Sequence, residues 1–235
     1  MSENLELENV SYKKNRQEIL KNINLKIGKG KIVALLGENG AGKTTLMRII
    51  SGLAKNYHGI VKVNGEQDVV QRKANLSMTD ALKGLLESYT IEQVKNFFLS
   101  LYSDFDIEEF EKLKDFMKLN DEMKLSQLSR GMKQKLEIAL TLSRKTNLYL
   151  LDEPFSGIDV MARKRIINSI LLWKDPDATI IISDHFVNEI SSILDEIVII
   201  KDKTIYRHLS ADDVRAEGKS IDQYYEALYE DGGTE

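Results

Sequence analysis

The amino-acid sequence predicts an α/β protein: a core with a mainly parallel sheet, an N-terminal antiparallel sheet and an inserted α-helical lobe. Three observations carry this. Strand-length apolar runs recur at residues 31–36, 148–151, 179–182 and 197–200, with helical periodicity elsewhere. The first run leads directly into a glycine-rich loop followed by a helix-forming stretch. Residues 5–27 instead alternate apolar with polar, the period of half-buried antiparallel strands.

Taken in order, Leu5, Leu7, Ile23, Leu25 and Ile27 mark that alternation, and Gly28-Lys29-Gly30 punctuates it. Lys31-Ile32-Val33-Ala34-Leu35-Leu36 is nearly continuous in apolar residues, as expected of a strand covered on both faces. After the glycine loop, Leu46-Met47-Arg48-Ile49-Ile50 reads as a helix ending near Gly52. Two helical stripes follow, Ile91, Val94, Phe97, Phe98, Leu101 and then Ile107, Phe110, Leu113, Phe116, Met117, separated by Tyr102-Ser103-Asp104-Phe105-Asp106. Ser129 precedes a helix with Leu136, Ala139, Leu140 and Leu142 on one face. From Ser210 onward the chain is acid-rich, with Tyr224, Tyr225, Leu228 and Tyr229 at helical spacing before a frayed 231–235 end. The expected division is one domain over 1–235: a core with its β-subdomain at 1–75 and 146–209, a helical lobe at 76–145, and a tail at 210–235.

The chain has 235 residues, enough for one large domain or two small lobes sharing a core. It has no cysteine, which excludes disulfide scaffolds, thiolate metal sites and cysteine nucleophiles. The formal net charge of −4 gives no general attraction to a phosphate backbone, so no nucleic-acid partner is expected. The apolar runs are too short to span a bilayer, and Met1-Ser2-Glu3-Asn4-Leu5-Glu6 does not read as a signal peptide. A cytoplasmic location is expected.

Gly37-Glu38-Asn39-Gly40-Ala41-Gly42-Lys43-Thr44-Thr45 satisfies the phosphate-loop pattern between a strand and a helix. The glycines let backbone N–H groups turn inward around phosphate, and the helix N-terminus adds positive partial charge there. Lys43 is placed for the β- and γ-phosphates, Thr44 for Mg²⁺, and Thr45 for a phosphate oxygen. The apolar strand 148–151 ends in Asp152-Glu153-Pro154; Asp152 is the candidate metal carboxylate and Glu153 the candidate to orient and polarise water.

With these motifs on the page, the chain resembles the ATP-binding subunit of an ATP-binding-cassette (ABC) transporter over nearly its whole length, which implies a P-loop NTPase core, ATP and Mg²⁺ as cofactors, and ATPase activity. Leu128-Ser129-Arg130-Gly131-Met132 is similar to the family's signature loop, usually Leu-Ser-Gly-Gly-Gln; Ser129 and Gly131 match, while Arg130 and Met132 depart from it. Ser156-Gly157-Ile158-Asp159 resembles the family's D-loop, and His185, after the strand 179–182, stands where the family has its switch histidine. The family's adenine-stacking aromatic falls on Lys14 here; Tyr12, two residues earlier on the same strand face, is the substitute, with ordinary strand packing as the other reading. The family's loop glutamine is missing near Met78-Thr79-Asp80-Ala81, leaving Asp80 either as a water-mediated metal contact or as a plain loop residue. His58 and His208 have no such support and read as surface residues.

The resemblance further implies a head-to-tail pair of ATP-binding subunits, with ATP between the phosphate loop of one and Ser129 and Gly131 of the other. It implies separate transmembrane permease subunits, with a cytoplasmic helix of the permease in the groove between the lobes, and a peripheral position on the inner face of the cell membrane. The Tyr-Ser-Asp-Phe-Asp element and the Ser-Arg-Gly-Met signature are similar to a bacterial exporter subgroup. The alternative is a soluble ABC-type ATPase acting on DNA or ribosomes; the long coiled coil or paired cassettes of such proteins are absent here. A module that binds ATP without hydrolysing it fits less well, because Glu153 and His185 occur together.

Overall fold

The computed structural model describes residues 3–184 and 187–230. In chain order the elements are β1 (Glu3–Lys14), β2 (Gln17–Gly28), β3 (Ile32–Leu36), α1 (Lys43–Ile50), β4 (His58–Val63), α2 (Val69–Ala74) and β5 (Leu76–Met78). Then come α3 (Ile91–Leu101), α4 (Ile107–Met117), α5 (Arg130–Leu142), β6 (Leu148–Asp152), α6 (Val160–Trp173) and β7 (Thr179–Ser183). The chain continues through α7 (Val187–Ile190), β8 (Glu196–Lys201), β9 (Thr204–Ser210), α8 (Ala211–Ala216) and α9 (Ile221–Glu230).

Among the described residues the strands form two sheets, ordered β2-β1-β4 and β5-β6-β7-β3-β8-β9. The first is antiparallel throughout; the second is parallel except where β9 folds back on β8. All five residues of β3 are buried, as the uninterrupted apolar run requires. Its side chains divide by alternation: Ile32, Ala34 and Leu36 enter the core under the helical lobe, while Val33 and Leu35 enter the core shared with α1 and the antiparallel sheet. This strand is therefore clamped from both faces, and its C-terminal end is a rigid platform.

The helices start where their capping residues say. Thr90 and Gln93 form a reciprocal box at α3, Asp106 caps α4, Ser129 caps α5 and Asp159 caps α6. The predicted stripes are buried at Ile91, Val94, Phe98, Phe110, Leu113 and Met117, but Phe97, Leu101 and Ile107 are exposed. Periodicity marked a stripe wider than the arc that the core covers. Phe97 and Leu101 instead line a groove of about 470 Å³ between the lobes, with Leu53, Ala81 and Leu85 across from them.

The structure adds three features to the sequence expectation. Leu76–Met78 pairs with Leu148–Leu150, so this short strand belongs to the core sheet and the helical lobe begins after it. The tail is two helices, with Tyr224, Tyr225 and Leu228 packed on the core; residues 231–235 lie outside the described residues. The strand β9 was hidden in a polar stretch, because its side chains are largely at the surface. His58 is exposed, and His208, also exposed, pairs with Glu196 at 2.8 Å.

Arg144 ties the lobes together. Its guanidinium forks onto Asp104 (3.1 and 2.8 Å), donates to the Leu76 carbonyl of β5 (2.8 Å) and lies 4.0 Å from the Tyr102 ring centroid. Arg144→Met would leave the Asp104 carboxylate without its partner. The variant is expected to lose about 2–3 kcal/mol of stability, read as a lower urea midpoint, the side chain being largely buried.

Candidate active site

The loop after β3 needs backbone conformations open mainly to glycine. Gly37 has φ 153°, and a Cβ there would lie 2.6 Å from the Ile200 carbonyl oxygen. Gly42 has φ 107°, and a Cβ there would lie 2.8 Å from Leu20 Cδ2. Gly42 is also the N-cap of α1 and supplies no side-chain acceptor, so the first N–H groups of the helix stay open to an anion. Glu38, Asn39 and Gly40 are exposed, Ala41 and Thr45 half-buried, and the exposed Thr44 sits on the first turn of α1. A cavity of about 390 Å³ runs beside the loop, lined by Ile19, Glu38, Asn39, Gly40 and Ala41.

Lys43 is 7% exposed, and its ammonium donates to the carbonyls of Gly37 (2.6 Å) and Glu38 (3.1 Å). Burial pulls its pKa down, and the fields of Glu153, Asp152 and Asp184 act the other way. These carboxylates follow the ends of β6 and β7. The strand order puts β7 between β3 and β6, so the acidic turn stands one strand away from the phosphate loop.

Asp152 and Glu153 are held by residues that local reading passed over. Ser183, fully buried on β7, donates its hydroxyl to Asp152 Oδ1, while its carbonyl and hydroxyl accept the Glu153 N–H (2.7 and 3.3 Å). Glu153 has φ 48°, a left-handed conformation that costs a non-glycine residue energy and persists where surroundings impose it. Thr79 Oγ1 accepts the Asp152 N–H at 2.8 Å, and Asp184 Oδ2 accepts the Phe155 N–H at 3.1 Å. The detectable signal was a Ser-Asp pair ending an apolar strand.

Asp80, by contrast, faces Lys83 at 3.7 Å and lines the interlobe groove; its neighbour Thr79 is the residue that reaches the acidic strand. Tyr12 is half-buried against the antiparallel core and pairs across the sheet with Leu20, the residue that touches Gly42. Ser129 Oγ accepts the Met132 N–H (3.2 Å) as the cap of α5, and a Cβ on Gly131 would meet the Gly157 carbonyl at 3.2 Å. Gly131 thus closes on the 156–157 turn of its own chain. His185 lies outside the described residues.

Mg²⁺ is bound in phosphate sites by one or two carboxylates together with substrate phosphates. Asp152 fits, having one oxygen fixed by Ser183 and remaining half-exposed, and Thr44 offers an exposed hydroxyl at the helix start.

A family model described as ABC transporter matches residues 20–156. The chain is 29% identical over 207 residues to an uncharacterised ABC transporter ATP-binding protein of Methanocaldococcus jannaschii, covering 86% of this chain and 75% of that one. It is 30% identical over 204 residues to a lantibiotic transport ATP-binding protein of Streptococcus pyogenes, covering 81% of this chain and 84% of that one. A solved ATP-binding subunit of an ABC transporter superposes with a TM-score of 0.85 at 26% identity, covering 96% of this chain and 99% of that one.

Behind the site, Glu137 on α5 accepts the Leu82 N–H (3.4 Å); burial, aided by Asp80, pushes its carboxyl pKa above the ordinary 4.5. A folded-state pKa above the unfolded one penalises the folded protein where the group is ionised, and the penalty fades as pH falls through 4.5. Glu137→Gln is therefore expected to raise the urea midpoint at neutral pH. Titrating both proteins should show that gain shrinking to nothing below about pH 4.5.

Proposed function

This chain belongs to the ABC transporter family as an ATP-binding subunit with ATPase activity, and from that premise we propose that Lys43, Asp152 and Glu153 carry out the hydrolysis, between two such subunits, to drive export through a separate permease. The observation that carries this is the buried Lys43 ammonium within reach of the fields of both Glu153 and Asp152.

The loop amides and the α1 N-terminus bind the triphosphate, contributed by residues 37–45. Lys43 then exchanges its carbonyl partners for the β- and γ-phosphate oxygens, where its charge offsets the charge on the transferring phosphoryl group. Mg²⁺, held by Thr44 and Asp152, would supply charge neutralisation on the same phosphates. Glu153, aimed by its left-handed turn, accepts a hydrogen bond from water and orients it in line. His185 holds the γ-phosphate side, Tyr12 stacks on adenine, and Ser129 and Gly131 of a second subunit complete the site. Of the two readings of Asp80, its pairing with Lys83 favours the plain loop residue over a water-mediated metal contact.

No helix among the described residues is long and apolar enough to cross a membrane. The relatives imply a transmembrane permease, and the interlobe groove with exposed Phe97 and Leu101 is the surface offered to it. The chain accordingly works as a peripheral subunit on the cytoplasmic face, with 1–75 and 146–209 as core, 76–145 as helical lobe apart from β5, and 210–235 as tail. Export rests on the Tyr102–Asp106 element, while the lantibiotic transport relative supports transport without a direction.

Glu153→Gln is expected to keep ATP binding, lower turnover by about 100-fold or more and accumulate an ATP-bound dimer. Phosphate release and light scattering in MgATP measure the two effects. Hydrolysis at the wild-type rate would remove Glu153 from its role.

A further inference from the structure

Arg130 occupies an unfavourable place. It opens α5, whose aligned peptide dipoles leave positive partial charge at that end, and no acidic residue lies in the first turn. Its exposed guanidinium is turned to the loop after Glu153, where Nη2 donates to Ser156 Oγ at 2.7 Å. The arginine stem also lies over Gly157, where φ is 72° and a Cβ would come within 3.1 Å of Arg130 Cδ. Gly131 closes against the same turn, 3.2 Å separating its hypothetical Cβ from the Gly157 carbonyl oxygen. Ser156 in its turn donates its N–H to the Glu153 carbonyl at 3.1 Å. A continuous path thus joins the N-terminus of α5 to the backbone of Glu153.

We propose that Arg130 is a positioning residue that couples the two ATP sites of the dimer, by tying the loop that grips the partner's ATP to the turn that holds Glu153 against the subunit's own ATP. The inference rests on the dimer reading given above. Phosphate arriving at Ser129 and Gly131 meets two positive features, the helix end and the Arg130 guanidinium, and draws them together. Because Arg130 is bonded to Ser156, the 156–157 turn moves with it, and the Glu153 backbone is set as the second nucleotide is gripped. A glycine at position 130 would have neither the hydrogen bond nor the contact over Gly157, and the two loops would move independently.

The test compares R130A, R130K, S156A and R130A/S156A in the full chain, following ATP hydrolysis against ATP concentration. R130A is expected to lose cooperativity, its Hill coefficient falling from about 2 towards about 1, and to lose about tenfold in kcat. MgADP affinity by calorimetry should stay at the wild-type value, because the phosphate loop is untouched. R130K, which still donates to Ser156, should keep the cooperativity, whereas S156A should reproduce R130A, and the double variant should be no worse than either single one. Wild-type cooperativity in R130A, additive losses in the double variant, or a wild-type Hill coefficient of about 1 would overturn the coupling. E153Q separates the two readings by light scattering in MgATP. If it stays monomeric, the composite dimer site fails and the coupling with it; if it dimerises while R130A remains cooperative, the coupling alone fails.

Discussion

A buried ammonium organises this molecule. Among the described residues, the hydrogen-bond acceptors of Lys43 are carbonyl oxygens of its own loop, and its charge is supported at longer range by Glu153, Asp152 and Asp184. Such a group is poorly solvated, and a polyphosphate is the partner whose oxygens can replace those carbonyls with opposite charge. Everything needed to keep it there follows: a strand clamped on both faces, glycines where a Cβ would strike Ile200 or Leu20, and a helix end with no side-chain cap.

The acidic side of the site depends on β7. That strand contributes no acid to the pair, yet Ser183 holds both Asp152 and the backbone of Glu153, and Asp184 fixes the turn at Phe155. Thr79, just past the end of β5, accepts the Asp152 N–H of β6, so the edge strand next to the interlobe groove is bonded to the acidic turn. Arg144 reaches that edge strand as well, joining it to Asp104 and Tyr102 of the helical lobe. The groove, the signature helix and the acidic turn are consequently parts of one bonded framework. Movement at the interlobe groove has a physical route to the acidic turn.

Within that framework three of the departures from the usual family sequence behave differently. Arg130 takes up a specific bond to Ser156 and a packed position over Gly157. Asp80 turns to Lys83 and raises the pKa of Glu137, so its local setting is a loop with its own charge pairing. The aromatic position is intermediate: Tyr12 packs in the antiparallel sheet, while its cross-strand partner Leu20 touches the phosphate loop.

The phosphate loop, the acidic turn after β6 and the capped helix start at Ser129 were legible in the sequence because each is dictated locally. Glycine freedom, the length of an apolar run and the need of a helix end for an acceptor all act over a few residues. Exposed Phe97 and Leu101 share a stripe with buried Val94 and Phe98, since periodicity reports an apolar face without saying how much of it a neighbour covers. Leu76–Met78 was placed with the helices, since three residues carry too little pattern to reveal their pairing with Leu148–Leu150. Strand order is the deeper case. A buried run shows that both faces of a strand are covered, but its hydrogen-bond neighbours come from distant sequence, and nothing local selects them. The sequence alone therefore determined which chemical groups this protein brings to a nucleotide. The tertiary structure decided that β7 stands between β3 and β6, that Ser183 supports the acidic pair, and that Arg130 rests on the 156–157 turn, because those contacts exist only once the sheet has closed in that order.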